Sequence, residues 1–238
     1  MKNVFYNVLH VGILLFGTVL FGQTKLKLNL DAGYTYSSMN ANLSNLIDSE
    51  YTGRYGFGTN LSAELSIWKG LFISSGISYL QKNYEFKRTA TREGWYTKYD
   101  NNFLSLPLLV GGYIINNPNE SNGVWIKLAG GMYTDYWLSM KREGQYPVLS
   151  ETELYGTYNY TKVSDKYDFK KNENNLRRLS YGLQGQVQLG YSFSKLGMYI
   201  SYNHQHGLSD INKDNISTNQ KMIINSYMLS AGLTYKFN

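Results

Sequence analysis

Arg177–Phe193, RRLSYGLQGQVQLGYSF, decides the fold. Its odd positions Leu179, Tyr181, Leu183, Val187, Leu189, Tyr191 and Phe193 are apolar apart from Gly185. Its even positions run Arg178, Ser180, Gly182, Gln184, Gln186, Gln188, Gly190 and Ser192. Strict alternation predicts a β-strand with one apolar and one polar face. The run exceeds both the ~5–6 residues of an ordinary strand and the ~9–11 a tilted strand needs to cross a bilayer. The polar face is built of Ser, Gly and Gln, whereas a face turned to bulk water carries charge. It reads as the lining of a narrow barrel with the apolar face toward lipid.

The same pattern recurs on both sides. Upstream, the alternating segments are Lys25–Met39, Arg54–Trp68, Leu71–Lys87, Phe103–Asn116 and Val124–Lys141; downstream they are Gly197–Leu208 and Lys221–Phe237. That predicts an all-β chain, an eight-stranded antiparallel up-and-down transmembrane β-barrel. Its connections alternate long and short. The segments Asn40–Gly53, Arg88–Asn102, Arg142–Asn175 and Ser209–Gln220 are long, polar and predicted to lie outside. The turns near Lys69, Asn119 and Lys195 are short and predicted to be periplasmic. Pro107 removes a ladder donor, so a bulge or local break is expected there. Leu154–Val163 retains β character inside the longest loop.

Residues 1–22 read as a signal peptide: Lys2 supplies the positive start, and Val8–Phe21 is an apolar run shorter than the ~20 residues of a helical span. His10 belongs to it. Residues 23–238 then form the barrel domain. Only 17% of residues are charged, yet the mean hydropathy is −0.38, so the chain is polar without being charged. Its 23 Tyr and 23 Gly suit aromatic girdles and a crowded interior. Cysteine is absent, which excludes disulfides and thiolate metal sites. The net charge of +6 is scattered along the chain, which points to anionic lipid headgroups and away from nucleic acid.

The chain resembles the small bacterial outer-membrane β-barrel family, porin-like proteins of OmpX-like and PorT-like size. The resemblance rests on the leader, Phe103–Leu109 (FLSLPLL), Ala129-Gly130-Gly131, the Gly182–Gly190 strand and the aromatic end Leu233–Asn238 (LTYKFN). It implies a Gram-negative outer membrane, lipids and lipopolysaccharide as surroundings, and barrel-assembly machinery as a partner. It transfers no catalytic residue. Phe237 is penultimate and Asn238 last, a departure from the terminal aromatic of the family.

The expected function is a non-enzymatic barrel with a side-chain-filled lumen, whose external loops meet an extracellular or envelope protein partner or stabilise the envelope. Alternatives are a narrow transport channel, a lipid A-modifying enzyme, an accessory barrel of a secretion system and a soluble lipocalin-like barrel with inverted faces. No GxSxG, HExxH, P-loop or dinucleotide fingerprint occurs, and no cofactor or metal is expected. His204 and His206 form an HxH pair, and with Ser209 they offer a weak metal or Ser–His candidate. Inward faces near the short-turn end carry Glu64, Asp31, Lys27, Lys127 and Lys236, predicted to pair into a charge network that closes the lumen. Trp125, Tyr133 and Asp135 are expected to fill it further. Leu183, Val187, Leu189, Leu229 and Leu233 are predicted to face lipid.

Overall fold

A computed structural model describes residues 25–43, 47–148, 160–172, 175–213 and 221–237. Residues 1–22, read from the sequence as a leader, with His10, positions 154–159 of the Leu154–Val163 stretch, most of the Ser209–Gln220 loop and Asn238 lie outside the described residues.

Ten strands occur in chain order: β1 (Leu26–Ala41), β2 (Ser49–Trp68), β3 (Leu71–Gln81), β4 (Tyr84–Arg88), β5 (Tyr96–Ile115), β6 (Gly123–Pro147), β7 (Tyr160–Lys166), β8 (Leu179–Phe193), β9 (Leu196–Gly207) and β10 (Met222–Lys236). Eight close a ring, each paired antiparallel to both neighbours: β1–β2–β3–β5–β6–β8–β9–β10 and back to β1. Closure leaves these eight strands without an open edge, as a hydrocarbon layer would demand. No described helix is long and apolar enough to cross a membrane.

Alternation does the sorting. Along β8, exposed Leu183, Val187 and Leu189 interleave with buried Gln184, Gln186 and Gln188, and on β10 Leu229 and Leu233 are outward too. Two glycines show how the faces differ in space. A Cβ on outward Gly185 would meet nothing, whereas one on inward Gly190 would lie 2.2 Å from the Trp125 ring. Gly185→Ala is therefore expected to stabilise by roughly 0.5–1 kcal/mol through lost chain entropy. Gly190→Ala is expected to cost about 1–3 kcal/mol through overpacking. Urea unfolding in micelles measures both, and equal effects would contradict the face assignment.

Several boundaries differ from the sequence expectation. Arg88–Asn102 is not all loop, since β5 begins at Tyr96, and Asn40–Gly53 yields its end to β2. Within Arg142–Asn175, β6 runs on to Pro147 and pairs with β7 (Lys141↔Lys166). The cause is pairing partners: strand ends that look polar in isolation find ladders above the ring. The third predicted strand splits at Lys82-Asn83 because the pairing slips by one residue against β2, from Gly58↔Leu80 to Gly53↔Tyr84.

Pro107 causes a local break and no bulge. Its pairing with β6 is regular (Pro107↔Tyr133), and toward β3 the ladder skips Gly76 and Ile77 but keeps its register. The Ser75 hydroxyl donates to the Pro107 carbonyl at 2.9 Å. The register shifts fall instead beside Asn102/Phe103 and Tyr113/Ile115, where Leu138 and Ile114 are the extra residues. Past Leu138 the inward parity of β6 flips, so Trp137 and Met140 both point inside.

Candidate functional site

The lumen is the feature that sets this molecule apart from a plain lipid-bound sheet. At the short-turn end, Glu64 of β2 is fully buried. Its Oε1 takes Lys27 Nζ at 2.6 Å and its Oε2 takes Lys127 Nζ at 2.5 Å. The Tyr113 hydroxyl donates to the same Oε1 at 2.7 Å and also contacts Lys27 Nζ. One carboxylate thus bridges three donors from β1, β5 and β6, strands that the closing of the ring brings together. Charge-assisted bonds of this kind are about twice as strong as neutral ones.

Rings pack around the ions. Lys27 Nζ lies 4.2 Å from the Tyr113 centroid, and Lys127 Nζ lies 4.9 Å from that of Phe72 and 5.8 Å from that of Trp125. A cation over an aromatic face is attracted by its quadrupole. Inward glycines make the room: a Cβ on Gly111 would meet Phe72 at 2.5 Å, and one on Gly232 would meet Tyr199 at 2.6 Å.

Above this plug the lumen is amide and hydroxyl. Gln186 Nε2 donates to Asn203 Oδ1 at 2.7 Å, and Gln205 Nε2 donates to Gln184 Oε1 at 2.8 Å. A cavity of about 30 Å³ remains among these groups, space for only two or three waters at ~10–15 Å³ each. Higher still, Lys82 and Asp135 pair at 2.5 Å, both buried, with Lys82 Nζ 4.7 Å from the Tyr133 centroid.

An apolar cap covers the long-loop mouth. Met39, Tyr84, Phe103, Trp137, Met140, Tyr167, Ile211 and Ile224 form its buried core. Segments 167–172 and 175–178, which leave the ladder between β7 and β8, fold over it. They latch onto the β9–β10 connection, with Arg177 N donating to Ile211 O at 2.7 Å and Leu176 bridging Asn212. Arg178 holds the latch to the wall, donating from Nε to Trp137 O at 3.0 Å and stacking on Tyr136 and Phe169. Beside the cap, burial pushes the Tyr51 phenol up to about 12 and that of Tyr84 well above its ordinary value, so this tyrosine cluster stays uncharged.

Of the five charges expected to pair, the structure brings together Glu64, Lys27 and Lys127. Asp31 is buried nearby but accepts from Asn60 Nδ2 at 3.0 Å and from the Tyr199 hydroxyl at 2.8 Å, with no lysine on it. Lys236 reaches out of the lumen and donates to the Pro118 carbonyl at 2.7 Å. Lys82 is the lumen charge that sequence reading missed. Its parity with Phe72, Ser74 and Ser78 was the available signal. Among the described residues the buried charges of the barrel interior are Lys27, Lys82 and Lys127 against Asp31, Glu64 and Asp135, plus Arg88 above.

The weak candidate does not assemble. His204 and His206 point outward, while Ser209 is buried and bonds to the backbone of Tyr181. Odd and even positions of β9 face opposite ways, so a base at 206 cannot reach a nucleophile at 209. Among the described residues no group of three or more His, Cys, Asp or Glu stands close enough to hold a metal.

A family model described as an outer membrane protein beta-barrel domain matches residues 5–213. Among solved structures, the outer membrane protein OprG of Pseudomonas aeruginosa is similar, at 12% identity over 89% of this chain and 96% of that one, with a TM-score of 0.50. Neisserial surface protein A is similar at 14% identity over 89% and 97%, with a TM-score of 0.46. The outer membrane protease OmpT of Escherichia coli gives 9% identity over 90% and 97%, with a TM-score of 0.46. At such identities the OprG likeness bears on the fold alone. No curated protein sequence matches the chain.

Proposed function

Since the chain belongs to the outer membrane β-barrel protein family, in the outer membrane of Gram-negative bacteria, we propose that it is a non-enzymatic barrel whose sealed lumen makes it a rigid post for its outer loops. The observation that carries this is the Lys27–Glu64–Lys127 bridge, which ties three strands across the lumen at one end. The Lys82–Asp135 pair and the apolar cap close the other. An eight-stranded ring is only wide enough for its own side chains to fill, and the buried side chains of the lumen support that reading. The small lumen cavity speaks against transport through the centre, and His206 and Ser209 face opposite ways, which speaks against a Ser–His enzyme. Structure rises above the ring instead, where β4 and β7 extend the wall.

The long-loop end faces outside, as the asymmetry of such barrels requires. Lipids and lipopolysaccharide surround the apolar belt that includes Leu183, Val187, Leu189, Leu229 and Leu233. The aromatic end Tyr235–Phe237 is presented to barrel-assembly machinery, and an extracellular or envelope protein partner meets the loops.

Planar-bilayer recording tests the seal. The purified barrel is expected to show no steady single-channel current, and a stable ohmic step in the wild type would overturn the closed-lumen reading. Orientation has its own measurement: tags within 149–159 should be labelled on intact cells and tags beside Asn119 should not.

A further inference from the structure

Outside the lumen, the tip of the β4–β5 hairpin forms a cavity of about 360 Å³, within the ~300–1,000 Å³ of small-molecule sites. Glu85, Lys87, Arg88, Glu93, Trp95 and Tyr96 line it. The tip is braced from both sides. Thr89 N donates to Asp48 O at 2.9 Å, and Arg88 Nη1 reaches Ile47 O at 3.2 Å and the Ser49 hydroxyl. From the other side, the Tyr160 hydroxyl donates to Glu93 O at 2.8 Å and Gln145 Nε2 donates to Gly94 O at 3.2 Å. Inside the turn Ala90 sits at φ +51° and Gly94 at φ +104°. A non-glycine residue held at positive φ is uncommon and persists where its surroundings impose it. The concavity is therefore pre-formed, which cuts the ordering cost of binding.

We propose that this pocket binds a neutral pyranose ring, an inference that deepens the reading of the outer loops as the interacting part. Three features select the ligand. Trp95 offers an aromatic face whose negative quadrupole suits the C–H side of a sugar ring, and the Arg88 guanidinium lies 5.4 Å from its centroid. Arg88 is itself buried, and its Nε meets no acceptor among the described residues, so a donor sealed in the cavity wall becomes available to a hydroxyl or ring oxygen once the guanidinium turns toward it. Such an unmet buried donor calls for a partner. Glu85 and Glu93 supply carboxylate acceptors for hydroxyl donors. Lys87 is already engaged by Glu50 at 2.9 Å. Two rim carboxylates with one lysine so occupied disfavour an acidic sugar.

The sugar chemistry is shared by the oligosaccharide of lipopolysaccharide and by glycans arriving from outside. The test is saturation-transfer NMR on the full barrel in detergent. The probes are methyl α-glucopyranoside, N-acetylglucosamine, glucuronate and delipidated lipopolysaccharide core oligosaccharide. Neutral sugars should receive saturation, Trp95→Ala should lose it at least tenfold, and Trp95→Phe should keep part of it with the same chemical-shift fingerprint of a folded barrel. Response to core oligosaccharide but not to the simple glycosides assigns the pocket to the protein's own membrane, and the reverse assigns it to outside glycans. Silence with every sugar, undiminished binding in Trp95→Ala, or preference for glucuronate overturns the proposal. Because the readout is in detergent, it stands apart from the cell-labelling result: binding with inside-out tags would sink the orientation and keep the pocket.

Discussion

Glu64→Ala is expected to destabilise the folded barrel by about 3–5 kcal/mol, the cost of breaking a buried ion pair from one side. Two lysines lose one shared carboxylate, and neither has another acid on it: Asp31 is turned to Asn60 and Tyr199, and Asp135 is held by Lys82. The Tyr113 hydroxyl loses its acceptor as well. The two ammonium groups are then left among Phe72, Tyr113 and Trp125, whose rings attract a cation but cannot replace a counter-charge. Glu64→Gln keeps an acceptor and should cost less. Replacing all three ions, as Lys27→Met with Glu64→Leu and Lys127→Met, is expected to return the barrel to at least wild-type stability, because well-packed apolar groups often match a buried ion cluster. Urea unfolding in lipid vesicles measures all three. A loss below about 0.5 kcal/mol for Glu64→Ala, the range of ordinary surface changes, would show that water already compensates these charges. In planar bilayers the same variant should flicker open where the triple variant stays silent, which separates loss of the plug from loss of charge.

The parts of this fold that were legible in the sequence share one property: a period that the membrane enforces. Along Leu179–Phe193 every residue must choose between lipid and lumen, so alternation is unbroken and faces are read directly. Above the ring that constraint lapses. Ser49–Gly53 pairs with β4 and Tyr160–Lys166 with β6 through ladders and side-chain pairs such as Glu50–Lys87 and Asp165–Arg142, yet neither segment carries a period to announce it. The inward turn of Met140 was equally hidden, since one extra residue at Leu138 inverts parity without any glycine or proline to mark it.

The lumen was half legible for a related reason. Parity placed Glu64, Lys127 and Lys27 on the inner face, and height along the barrel then decided the pairing. Height depends on stagger between strands, which a single sequence does not contain. Lys236 is paired with Lys27 in the β1–β10 ladder, yet its side chain leaves through the rim to Pro118. Asp31 lies four residues further along β1 than Lys27, and an inward asparagine and tyrosine reach it first. Trp95 and Arg88 were read only as loop, because their geometry depends on braces from Asp48, Gln145 and Tyr160, far apart in the chain.

The lipid face carries the second large effect. Val187→Arg is expected to cost about 2–4 kcal/mol, the penalty for a cation at the bilayer midplane of a barrel. Val187 is outward and sits between Tyr181 and Tyr191, which share its face and mark the interfacial girdles on β8. Its paired neighbours Leu128 and Tyr202 are outward too, so no carboxylate stands opposite it in either ladder to relieve the charge. Leu196 is the internal control. It is 57% exposed on the same outer surface but stands at the Ser194-Lys195 turn, where an arginine reaches headgroups and should cost only ~0–1 kcal/mol. Equilibrium unfolding in lipid vesicles reads both substitutions. Equal costs would remove the depth dependence on which a membrane-spanning placement stands, and no cost at Val187 would put that face in water.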